Sequence, residues 1–177
     1  MEGMDRSSFL IAYIISNVTA IGFLLISRKW PLAGRLFFSI LFAVASWVNW
    51  TTSQSSPQFY LYYAGSATEL YRNFILGWFS RNIPVVVGSI AVLQLLIALG
   101  LLLKGRIYQV AVIGATIFLL AIVPLGIGSA FPCSLTMALT LVFFLYRAGD
   151  DYVWGKRSRQ KFDQLSRGRT ISIEESK

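Results

Sequence analysis

The stretch Ile83 to Leu103, IPVVVGSIAVLQLLIALGLLL, decides what kind of protein this is. It carries no charge, and its one amide is Gln94. A helix needs about 20 apolar residues to cross the hydrocarbon core of a bilayer, and this run supplies them. Downstream, Lys104-Gly105-Arg106 makes a short basic turn before a second apolar run over 107–127. A third, over 131–147, follows Gly128-Ser129-Ala130. Upstream lie two more, over 33–52 and 9–27. None alternates with period two, so helices are expected rather than a membrane barrel. Glu2 and Asp5 stand in front of the first run and no small-residue cleavage pattern follows it, so it reads as a retained span rather than a signal peptide.

Composition agrees. Of 177 residues 55% are hydrophobic and 14% charged, with a mean hydropathy of +0.62. A soluble domain carries roughly 25% charged residues. The expected fold class is an all-α, polytopic membrane helix bundle with five transmembrane helices. Residues 1–147 form the bundle. Residues 148–177 form a basic tail, expected to be disordered beside the lipid headgroups.

Charge placement sets the orientation. With five spans, 13 Lys and Arg fall on one side: Arg28, Lys29 and Arg35 in one loop, Lys104 and Arg106, and eight from Arg147 onward. Only Arg6, Arg72 and Arg81 fall on the other. The positive-inside rule then places the N-terminus outside and the C-terminus in the cytoplasm of a bacterial inner membrane. The net charge of +8 thus reads as orientation, not as a nucleic-acid surface.

The residue inventory removes most enzyme classes. There is no histidine, Cys133 is alone, and Glu69 is the only acid between residues 6 and 149. His-ligated metals, thiol pairs and paired carboxylates lack their parts, so neither a catalytic site nor a cofactor is evident.

The outer loop carries the remaining organisation. Ser53-Gln54-Ser55-Ser56-Pro57 is turn chemistry. Ser66-Ala67-Thr68-Glu69 matches the S-x-x-E capping box, which predicts a short interfacial helix over 67–79. Leu70, Tyr71, Phe74, Ile75 and Trp78 would form its apolar face, with Glu69, Arg72 and Asn73 opposite. Glu69 and Arg72, three apart, can pair across one turn. They read either as a polar ligand or partner site, joined by Arg81 and Tyr63, or as a cap with a solvated pair. Gln94 reads either as a ligand contact, for instance to a quinone carbonyl, or as glue to a neighbouring helix. Asn49, near the outer end of its span, is a further candidate. Pro124 to Pro132 reads as a broken helix or a hairpin turn. Gly88, Gly100 and Gly114 allow close helix approach.

Arg35-Leu36-Phe37-Phe38, Tyr71-Arg72-Asn73-Phe74-Ile75-Leu76-Gly77-Trp78-Phe79, Leu99-Gly100-Leu101-Leu102-Leu103 and the Pro124–Pro132 segment together resemble the DoxX-like family of small membrane proteins. The resemblance covers Arg35 to Arg147. It implies a four-helix core, to which the first span is an addition. It also implies a non-catalytic membrane subunit or scaffold, with a quinone reached through a partner in a redox or stress-response complex. Expected partners are the lipid bilayer and a protein partner or further copies of the chain. The alternative is a small-molecule or lipid transporter working as an oligomer.

Overall fold

The computed structural model describes residues 31–129 and 132–146, with Ile14, Asn17, Val18, Ile21 and Gly22. The rest of the expected first span over 9–27, and the tail over 148–177, lie outside the described residues. Among the described residues the chain is helices joined by short turns, with no strand. Helix α1 runs Pro31–Ser55, a 3-10 helix follows over Pro57–Gly65, and α2 is Glu69–Phe74. A wider π turn covers Ile75–Phe79, α3 is Ile83–Gly100 and α4 is Gly105–Ile122. A 3-10 turn over Val123–Ser129 leads to α5, Cys133–Tyr146.

Among the described residues three helices are long and apolar enough to cross a membrane: Leu32–Ser55, Ile83–Gly100 and Gly105–Gly126. Cys133–Phe144 is a shorter apolar helix. Large apolar side chains such as Ile40, Val44, Val85, Leu96, Val110 and Ile117 stand exposed along them, as on a surface that faces lipid. The core is aromatic where α1 meets α5. Phe38 and Phe144 pack edge to face at 6.0 Å, and Phe42 meets Phe118 of α4 at 5.8 Å. Gly100 lets α3 and α4 touch: a Cβ there would lie 2.7 Å from the Ala111 Cβ.

Helices α1 and α3 share the most extensive contact and run antiparallel. Their inward positions follow coiled-coil spacing. On α1 these are Arg35, Ser39, Phe42, Ser46, Asn49 and Ser53, alternating steps of four and three. Ala91, Gln94, Ala98 and Leu101 answer on the facing chain. A period near 3.5 gives the shallow left-handed crossing of such bundles. The seam is polar and rests on small residues. Ser39 Oγ donates to the Ala98 carbonyl (2.8 Å) and Ser46 Oγ to the Ala91 carbonyl (2.6 Å).

The structure corrects two expectations. Arg35 is not in a loop: α1 begins at Pro31, a favoured first helical residue, and Arg35 is 5% exposed inside its first turns. Nor is 67–79 one amphipathic helix opened by a Ser66 capping box. The N-cap of α2 is Thr68, without a side-chain cap bond, and Ser66 turns its hydroxyl to the Leu125 carbonyl (2.9 Å). Past Phe74 the backbone widens into the π turn, which breaks at Gly77 (φ −90°, ψ −113°). Steps of four drift about 40° each on an α-helix. The wider turn cancels that drift, so Ile75 and Phe79 point inward while Leu70, Phe74 and Trp78 are exposed.

Candidate functional site

Two groups of polar side chains are built by this fold. The first lies in the α1–α3 seam. Side chains on a helix lean toward its N-terminus. On antiparallel neighbours, Asn49 and Gln94 therefore lean toward each other across the level of Ser46. Asn49 Nδ2 donates to Gln94 Oε1 at 2.8 Å. Tyr60, from the 3-10 helix, donates its hydroxyl to Asn49 Oδ1 at 3.0 Å, with the Asn49 carbonyl at 3.3 Å. Gln94 is 2% exposed. The result is a hydrogen-bonded chain from the loop region down to the middle of α3. Burial pushes the Tyr60 phenol above its ordinary value. Tyr63 adds to that rise and a hydrogen bond to Thr52 offsets part of it. Burial raises Tyr63 as well.

At the opposite end of the seam stands Arg35. Its Nε and one terminal nitrogen both donate to the Leu101 carbonyl (3.1 Å each), and that nitrogen also reaches the Leu103 carbonyl. The guanidinium carbon sits 4.3 Å from the centroid of the Tyr108 ring. The last carbonyls of α3 have no intrahelical donors, and they carry the negative end of the helix dipole. A planar fork that never loses its charge suits them, and the ring adds a cation–π contact.

The second group is the cap, Ser56 to Asn82, which closes over the α4–α5 connection. Helix α4 ends at Ile122, and the chain beyond it passes through Pro124 and Gly126, the latter at φ +72°. Carbonyls there have no helical donor. The cap supplies donors: Tyr71 hydroxyl to Ala121 (2.9 Å), Thr68 N–H to Pro124 (2.9 Å) and Ser66 to Leu125. The carbonyls of Ala121, Pro124 and Leu125, at and just past the end of α4, thus seat the cap.

Of the five candidate residues, the structure brings together only Asn49 and Gln94. Glu69 and Arg72 form no ion pair: Arg72 Nε donates to the Ala64 carbonyl instead (3.0 Å), and Glu69 is exposed. Arg81 is exposed beside the start of α3. Sequence reasoning missed Tyr60 and the Arg35–Tyr108 pair. The coiled-coil spacing that starts at Arg35 was the available signal for the latter. Among the described residues no three His, Cys, Asp or Glu gather where a metal could sit. Cys133 is buried and free. Comparison with known proteins adds no relative, for no family model, curated protein or solved structure matches this chain.

Proposed function

We propose that the chain is a multi-pass subunit or scaffold of a bacterial inner membrane. In this reading it has five spans, the N-terminus outside and the C-terminus cytoplasmic, and the cap lies at the outer interface. The DoxX-like resemblance belongs to the same reading, as does a quinone-linked redox or stress-response complex in which the partner carries the electrons. One observation supports it above others. Three polar side chains of the α1–α3 seam are bonded across it to the neighbouring helix, Ser39 to Ala98, Ser46 to Ala91 and Asn49 to Gln94. The exposed charged groups Glu69 and Arg81 are on the cap.

Affinity purification from native membranes in mild detergent is the test. A stoichiometric partner should co-purify, and Glu69→Gln with Arg81→Gln should weaken its retention while the protein stays inserted. Recovery of a lone monomer would overturn the reading. For topology, a reporter inserted at Ser55 should behave as exported and one fused after Lys177 as cytoplasmic. A cytoplasmic signal at Ser55 would remove the five-span count.

A further inference from the structure

The cap is bonded onto the end of α4, and a large part of its open surface is apolar. Leu70 is 77% exposed, Tyr62 73% and Trp78 60%, with Leu76 and Phe74 also exposed. This surface does not stop at the cap. Below Trp78, exposed Val85, Val92, Leu96 and Leu99 continue along one face of α3.

We infer that the cap is a membrane-seated element and that phospholipid of its own leaflet covers it. Leu70, Leu76 and Trp78 reach the acyl-chain boundary and Gln58, Glu69 and Arg81 the headgroups. Continuity with the lipid-facing belt selects lipid over a soluble protein as the occupant, and Trp and Tyr are the side chains that favour this depth. The inference rests on the membrane reading above, but not on its subunit role or its sidedness.

The test uses the full chain alone in phosphatidylcholine–phosphatidylglycerol vesicles. An environment-sensitive fluorophore is attached at Leu76→Cys or Gln58→Cys in a Cys133→Ala background. The Leu76 label should lose its emission to lipids carrying a nitroxide near the headgroup and keep it in aqueous iodide, whereas the Gln58 label should respond to iodide. Iodide quenching at Leu76 equal to that at Gln58 would overturn the inference. A second readout needs no cysteine. Brominated lipids should quench the wild-type tryptophan emission more than that of Trp78→Phe, and equal quenching would refute the seating of Trp78. A lone monomer in the purification above, with a lipid-covered cap here, would remove the subunit role and leave this inference standing.

Discussion

Replacing Gly126 by alanine should detach the cap from the α4–α5 turn. Gly126 sits at φ +72° and ψ −147°, a backbone region open essentially to glycine alone, and a side chain forced into it costs about 1–3 kcal/mol. The new Cβ would also fall onto the Ser66 carbonyl oxygen, closer than real Cβ atoms come to any neighbour. Ser66 would have to move. With it would go its bond to Leu125 and, two residues on, the Thr68–Pro124 bond. At about 0.5–1.5 kcal/mol for each bond, the total loss is roughly 2–6 kcal/mol. Gly105 supplies the control. It too has a positive φ, +63°, but nothing lies within 4 Å of its Cβ position. Gly105→Ala should therefore lose only the left-handed backbone cost, about 1–2 kcal/mol. Equilibrium unfolding in mixed micelles gives the two losses, and hydrogen exchange read on peptides covering Thr68 reports the cap. Faster exchange there should accompany Gly126→Ala alone. Equal losses for the two variants, with Thr68 equally protected in both, would refute the reasoning.

Asn49→Leu and Gln94→Leu should each destabilise by about 1 kcal/mol, Asn49→Leu the more because Tyr60 also loses its acceptor. A double-mutant cycle in the same unfolding assay should give a coupling of about 0.6–1.7 kcal/mol, and strict additivity would deny the bond. Arg35→Lys keeps the charge but loses the planar fork, so it should cost about 2 kcal/mol in that assay. A variant as stable as wild type would show that charge alone suffices at the end of α3. The Tyr60 phenol must hold its proton to donate to Asn49, and burial raises its folded pKa above the unfolded value near 10. Its contribution should therefore be complete below pH 10 and fall away as pH rises through the folded value. Absorbance titration at 295 nm should lose a late-titrating phenol in Tyr60→Phe, and loss of an ordinary one would contradict the burial.

Legibility in the sequence followed the range of the interaction. The α3 run is readable because a membrane helix satisfies its own backbone, so apolar length alone marks it. Pro124 and Gly126 announced a turn because one lacks an N–H and the other accepts positive φ, both properties of the residue itself. Asn49 and Gln94 could be singled out one by one, but their bond spans 45 residues and needs the antiparallel register of two helices. Arg35 misled because a charge beside an apolar run ordinarily ends it. Its partners lie 66 and 68 residues further on, at a helix terminus whose open carbonyls make the charge welcome. Ser66 misled for the same reason. Its spacing to Glu69 is that of a capping box, yet the Leu125 carbonyl, 59 residues away, takes its hydroxyl. Local chemistry proposed a cap, and a distant helix end decided otherwise.

The Arg35 contact also sets a clock on biogenesis. The guanidinium belongs to the second turn of α1, while its first carbonyl partner closes α3, 66 residues later. At synthesis rates of roughly 5–20 residues per second, α1 waits about 3–13 s after Arg35 is made before Leu101 even exists. Through that interval the head of α1 has to rest among lipid phosphates or translocon water, since a bare guanidinium is costly in hydrocarbon. Arrival of α3 ends the wait. Closing the clamp and aligning Ser39 with Ala98 and Ser46 with Ala91 are then one event, because a slip of one turn between the helices would break all of these bonds together. The α1–α3 pair would lock first as a two-helix unit, and the α4–α5 hairpin, made last, would seat itself against a register already fixed.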